Sequence, residues 1–147
     1  KSKNKWDMWA ATDPDLETEI IGSYEVSVSD NMDMVMETTR QLREFCNAHQ
    51  LGTGKSFRIC LAVEEIAGNI VEHGFTGKKG KHFIDLRLTL EKDGSGCLSL
   101  RDNGVKFNPL EYRNKDTQYG LAIIRGISEK IDYHYVASMN CLNVIIR

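Results

Sequence analysis

"LAVEEIAGNIVEHGF" (61–75) reads as a helix whose polar side is crowded with chemistry. At about 100° per residue, Ile59, Val63, Ile66 and Ile70 centre one apolar face. Arg58, Glu65, Asn69 and Glu72 fall on a stripe opposite that face or at its border, while Glu64 sits further round as a solvated charge. Glu65, Asn69 and His73 follow one another at four-residue steps. Gly68 and Asn69 are poor helix formers, so stability alone does not account for their place in the middle of the run. A segment that packs one face and keeps a polar stripe needs a sheet to lie on.

Such a sheet is legible on both sides. Upstream, "SYEVSVS" (23–29) alternates Tyr24, Val26 and Val28 as a half-buried strand. Ser29 or Asp30 then caps a helix over 30–49 in which Met32, Val35, Met36, Thr39, Leu42 and Cys46 keep helical spacing, the methionines being read as core. Gly52 and Gly54 break the chain before the second helix, expected over about 56–73. Downstream, "HFIDLRLTLE" (82–91) sets Ile84, Leu86, Leu88 and Leu90 against Phe83, Asp85, Arg87 and Thr89, "DGSG" (93–96) turns, and "CLSLRD" (97–102) returns as a hairpin. After a loop of about fifteen residues a short helix runs from Gly120 to near Lys130. Strands "IDYHYVA" (131–137) and "CLNVIIR" (141–147) close the chain around a turn at 138–140. Adjacent hairpins beside three helices predict an α+β two-layer sandwich. Residues 1–19, polar with Trp6 and Trp9, are read as a linker or N-terminal arm, and 20–147 as the domain.

Composition bounds the function classes. The 147 residues suffice for one domain with its own core; 41% are hydrophobic and 27% charged. A net charge of -2 without a basic run gives no case for nucleic acid. There is no apolar run of membrane-spanning length and no signal-peptide pattern, so a cytoplasmic protein without direct membrane contact is expected. Cys46, Cys60, Cys97 and Cys141 form no C-x-x-C pair and read as small hydrophobes of a reduced core. "LGTGKS" (51–56) imitates the end of a phosphate-binding P-loop, but His49 stands where its first glycine belongs and a helix precedes it instead of a strand. It reads as a glycine break, with Ser56 near a cap.

Three stretches carry chemistry. The amide oxygen of Asn69 is a hard donor of the kind Mg2+ takes, and Glu65 one turn earlier can accept a proton from an attacking hydroxyl. In "LRDNGVKFNP" (100–109), Asp102 can accept a hydrogen bond from an exocyclic amine such as that of adenine, and Gly104 lets a flat ring approach the backbone. "YGLAIIRGISEKIDY" (119–133) opens a helix at Gly120, whose free N–H groups suit an anion such as phosphate.

In this order, "EEIAGNIVEHG", "DNGVKFNP" and "GLAIIRGISEKIDY" resemble the N, G1 and G2 boxes of the Bergerat-fold ATPases, the superfamily of gyrase, the heat-shock chaperone and histidine kinases. The resemblance covers about 20–147. Short length and the Phe-Asn-Pro ending of the G1 box point to the anti-sigma-factor serine kinases. The resemblance implies a mixed, mainly antiparallel sheet of about five strands covered on one face by three helices. It implies Glu65 as general base, Asn69 as Mg2+ ligand, Asp102 as the adenine-binding acid and Gly104 beside it. Phe107 of the G1 box, and Gly120 and Leu121 of the G2 box, join the ATP site. His73 ends the N box either as a phosphate contact or as a packing residue. The implied activity is transfer of the γ-phosphoryl of Mg-ATP to a serine of a STAS-type anti-anti-sigma protein, together with sequestration of a sigma factor; a homodimer through the sheet or first helix also fits.

The pattern departs from the family at Gln118 and Tyr119, where a further glycine is usual, and at Lys106. The lid, 105–119, is short, and its Arg113 and Lys115 either reach phosphates or are solvated. Two other readings compete. One is a binding module that uses nucleotide only to set its conformation, or has none. The other, a histidine-kinase catalytic domain, predicts an upstream hairpin with a phosphoacceptor histidine, whereas the first helix offers only His49 at its end.

Overall fold

Alternating leucines in two neighbouring stretches organise the domain. In β2 (Phe83–Glu91) and β3 (Gly96–Asp102), Ile84, Leu86, Leu88, Leu90, Leu98 and Leu100 are each at most 2% exposed. Their antiparallel register brings Leu86 opposite Leu100 and Leu88 opposite Leu98, so one face of the hairpin is a continuous apolar floor. The connecting turn is closed by the Asp93 carboxylate, which accepts from the Ser95 N–H at 2.9 Å.

The computed structural model describes residues 20–77, 79–111 and 118–146, without the side chains of 118–121. The expected arm with Trp6 and Trp9, and the lid residues Arg113 and Lys115, lie outside the described residues. β1 (Ile20–Ser29) pairs with β2, and the last two strands, β4 (Ser128–Val136) and β5 (Met139–Ile146), complete a five-stranded sheet ordered β1-β2-β3-β5-β4. All four pairings are antiparallel, which corrects the expected mixed sheet. β5 enters between β3 and β4, placing Leu142 and Val144 on the floor. The β4–β5 turn is Ala137–Ser138, with φ of 52° and 61°, the paired left-handed geometry that matches strand twist in a two-residue hairpin.

Three helices cover the floor, giving the expected two layers. α1 (Met32–Ala48) starts at Asn31, whose side chain accepts from the Asp33 N–H at 2.8 Å. The cap is therefore neither Ser29 nor Asp30: Asn31 has the extended backbone that an N-cap requires. α1 buries Val35, Thr39, Leu42 and Cys46, while Met32, Met34 and Met36 are 41%, 41% and 47% exposed. The methionines are thus not core; a seam that repeats at 35, 39, 42 and 46 leaves them at its margin. α2 (Thr53–Asn69) begins three residues earlier than predicted, with Gly52 as N-cap at φ 86° and no side-chain cap. Ser56 lies inside the helix, 1% exposed, and is no cap. Lys55 of the P-loop-like stretch reaches the Gly94 carbonyl at 2.5 Å, a structural tie between the helix and the β2–β3 turn. α3 (Gln118–Ile127) stops short of the expected Lys130, because Ser128 turns its hydroxyl onto the Ile124 carbonyl and begins β4 at once. All four cysteines are free, three of them buried. Among the described residues no helix is long and apolar enough to cross a membrane.

Candidate nucleotide site

α2 buries Ile59, Val63, Ile66 and Ile70 on the floor, which orients its polar stripe. Along that stripe Arg58 and Glu72 are exposed, Glu65 is half-buried and Asn69 is 4% exposed. Burying an amide is costly unless a polar partner or ligand meets it, and so the placement of Asn69 sets it apart from a solvated face. The α-helix ends at Asn69 and continues as a π-helical turn, Ile70–Gly74. Such turns are uncommon and recur at functional sites. The wider turn also moves His73 off the line that Glu65 and Asn69 begin.

The π turn delivers Gly74 to the end of β3. Its carbonyl accepts from the Val105 N–H at 2.8 Å. A Cβ on Gly104 would lie 2.4 Å from the Gly74 oxygen and 2.9 Å from Asp102 Oδ1. Only glycine lets the two backbones close, so Gly104 has a packing reason beside the ligand one read from sequence. Phe107 lies on the same junction, its ring centroid 6.4 Å from that of His73. His73 is half-buried, with Nε2 3.7 Å from the Glu72 carboxylate, and the ring contact favours its packing role.

Asp102, 2% exposed, closes β3. Its Oδ1 accepts from the Gly104 N–H at 2.9 Å and from Asn140 Nδ2 at 3.0 Å. Asn103 faces away from this junction: it accepts from the Phe83 N–H at 3.0 Å and donates to the Lys81 carbonyl at 2.8 Å, which pins the start of β2. Asn140 and Tyr133 were not singled out by the sequence. Asn140 is opposite Asp102 in the β3–β5 register, and Tyr133 bonds it from β4. Burial, foremost, pushes the Tyr133 phenol above its ordinary pKa, so it remains a donor at neutral pH. No spacing in the sequence announces these two residues, since only the sheet pairing brings 140 to 102.

The structure therefore joins His73, Gly74, Asp102, Gly104 and Phe107 at one junction, with Glu65 and Asn69 on the helix that leads into it. Gly120 lies in the first turn of α3, which packs against α2. The side chain of Leu121 is outside the described residues. Among the described residues no group of three or more His, Cys, Asp or Glu gathers as a metal cluster. A metal here would take the Asn69 oxygen together with ligand oxygens and water, a set that suits Mg2+.

Comparison with known proteins agrees with this fold. Residues 28–146 match the model of the histidine kinase-like ATPase domain. No curated protein is significantly similar to the sequence. Among solved structures, the RsbU and RsbW domains of Rv1364c from Mycobacterium tuberculosis superpose with a TM-score of 0.65 at 21% identity over 86% of this chain, which spans 32% of that one. The SiaB–SiaC complex from Pseudomonas aeruginosa gives 0.64 at 16% identity, covering 88% of this chain and 90% of that one. The histidine kinase domain of a blue-light activated kinase from Erythrobacter litoralis gives 0.53 at 14% identity over 95% of this chain and 66% of that one. At these identities the superpositions speak for the fold, and the matched sequence for the family: the chain belongs to the histidine kinase-like ATPase domains.

Proposed function

We propose that the domain binds Mg-ATP and acts as an anti-sigma-factor serine kinase, transferring the γ-phosphoryl of ATP to a serine of a STAS-type anti-anti-sigma partner and sequestering a sigma factor. The observation that carries this reading is the buried Asp102 carboxylate held at a strand end beside the Gly74–Gly104 contact. An acid kept in place among backbone groups is the acceptor an adenine amine needs. Glu65 takes the proton of the partner's serine hydroxyl as its oxygen bonds the γ-phosphorus; the bond to the β,γ-bridging oxygen breaks and ADP leaves. Asn69 holds Mg2+, which when bound neutralises charge on the phosphates. His73, Phe107, Gly120 and Leu121 line the remainder of the nucleotide seat. One structural neighbour is a complex of SiaB with SiaC, which supports a protein as the acceptor. The cytoplasm is the compartment in which four free thiols stay reduced. Self-association through the sheet or α1 belongs to the same reading and is tested by sedimentation at two concentrations.

One observation favours a second reading, a nucleotide-dependent or nucleotide-free protein-binding module: Gln118 and Tyr119 occupy the family's flexible glycine place. Thermal melting with Mg-ATP and Mg-GTP, on wild type and Asp102→Ala, separates them. Ligand at about 100 times its Kd adds roughly 2.7 kcal/mol of stability. A gain with ATP alone, lost in Asp102→Ala, supports the pocket, and label transfer from [γ-32P]ATP to a partner serine supports the kinase. No gain with either nucleotide ends the kinase reading.

A further inference from the structure

Asn140 is a fully bonded side chain at the junction. Its Nδ2 donates to Asp102 Oδ1 at 3.0 Å and to the Val105 carbonyl at 2.8 Å. Its Oδ1 accepts from the Phe107 N–H at 2.9 Å and from the Tyr133 hydroxyl at 2.5 Å. A side-chain amide offers two donors and two lone pairs, and here all four are engaged. The amide orientation is also fixed by chemistry: Asp102 Oδ1 and the Val105 carbonyl can be met only by a donor, the Phe107 N–H only by an acceptor. Residue and partners belong to three strands and the loop after β3, and both Asn140 and Asp102 are 2% exposed.

Rotation of a carboxylate and the path of a loop are normally separate freedoms. Asn140 couples them, because one amide anchors the Asp102 carboxylate and both ends of the 105–107 segment. We infer that Asn140 is the positioning residue for base selection: it fixes the plane in which Asp102 faces a nucleobase amine and holds the Gly104–Phe107 wall at matching depth. This inference rests on the nucleotide reading above and adds to it the element that discriminates among purines.

Asn140→Asp is the incisive variant. It keeps size and shape but replaces the donor Nδ2 by an oxygen facing two acceptors, one of them a carboxylate. Two carboxyls this close repel when both ionise, so the pair keeps one shared proton at low pH, which restores the bond to Asp102, and gives it up as pH rises. The titratable groups that hydrogen-bond residue 140 are Asp102 on β3 and Tyr133 on β4, with Tyr135 its cross-strand neighbour in register; the Tyr133 phenol is pushed up and stays protonated across the range used.

The experiment is calorimetric titration of Mg-ATP and of Mg-inosine triphosphate, which bears a carbonyl in place of the amine, at pH 5.5 and 8.0. Wild type should prefer ATP by about tenfold or more at both pH values, the order expected when a buried acceptor is left unpaired. Asn140→Asp should lose that preference at pH 8.0 and recover most of it at pH 5.5. Asn140→Ser, whose hydroxyl cannot span both loop contacts, should lose it at both and serves if Asn140→Asp does not fold. An Asn140→Asp protein that discriminates like wild type at pH 8.0, or loses discrimination equally at both pH values, overturns the inference. So does Asn140→Ser with full discrimination. Wild type that binds ATP without preferring it to the inosine nucleotide leaves an ATP site but removes base selection. Wild type that binds neither refutes the nucleotide reading itself.

Discussion

Replacing Gly104 by alanine tests whether the β3 end and the π turn are built against each other. The new Cβ would stand 2.4 Å from the Gly74 oxygen and 3.0 Å from its carbonyl carbon, and 2.9 Å from Asp102 Oδ1. The closest of these is about 1 Å inside the separation at which such atoms attract. Two of the three are backbone atoms, and the third is a carboxylate held by the Gly104 N–H and by Asn140, so no flexible side chain can move aside. Relief requires the two segments to part, which lengthens the 2.8 Å bond from Val105 to Gly74. Overpacking of this kind costs about 1–3 kcal/mol, and the weakened hydrogen bond about 1 kcal/mol more. For a domain of this size a loss of about 3 kcal/mol lowers the melting midpoint by roughly 10 °C. Gly126→Ala is the control, because a Cβ there meets nothing within 4 Å. Near the end of α3, alanine should raise the midpoint by about 2 °C, through the smaller entropy of its unfolded state. Differential scanning calorimetry of both variants decides the matter. Gly104→Ala melting within about 3 °C of wild type would refute the packing argument, and loss of ATP binding without loss of stability would show that the glycine is kept for the ligand alone.

Two other expectations follow from buried groups. On the sheet face away from the helices, Arg101 Nη2 lies 3.2 Å from Asp85 Oδ2, the side chains being 17% and 6% exposed. Asp85→Ala should destabilise the protein by about 3 kcal/mol in urea titration, because the guanidinium keeps its burial and loses this partner, whereas Asp85→Leu with Arg101→Met should recover most of that loss; equal stability of Asp85→Ala and wild type would count against the pair. The Cys46 and Cys141 thiols are each pushed up to about 11, chiefly by burial, from an ordinary value near 9. Below pH 9 both states hold these protons; above it the unfolded chain releases them first, so stability should fall as pH rises from 9 toward 11. The urea midpoint should drop over that interval by less in Cys46→Ala than in wild type, and an identical drop would remove the thiol from the account.

The parts of the fold legible beforehand were those whose signal is local. The leucines of β2 and β3 alternate with polar residues, so strand, hairpin and buried face follow from a few residues at a time. Asp102 was legible as a candidate only through the order of the three stretches, since an acid before Asn-Gly at a strand's end is by itself an ordinary turn. Other features depend on distant pairing. Asn140 sits in a stretch that reads as the margin of a turn, and its role exists only because β5 lies beside β3. The π turn leaves no periodic trace in "IVEHG", since one widened turn is too short to shift a pattern. Met32 and Met36 were misplaced because helical spacing tells which residues share a face, while the neighbouring elements decide how wide the buried part of that face is.

The strand order has a consequence for the birth of the domain. β1, β2 and β3 form a run of neighbours available soon after each leaves the ribosome, apart from the wait of β1 for β2. β4 has no such companion: among the described residues its sole partner in the sheet is β5, made after it, and β5 must also slot against β3. Until then the facing edges of β3 and β4 lack their partner, a state open to pairing with other chains. The acid that would read the base is synthesised with β3, yet the amide that steadies it arrives only with β5. Nucleotide cannot assist the early steps of folding under this arrangement; it can only reward a chain that has already closed its sheet.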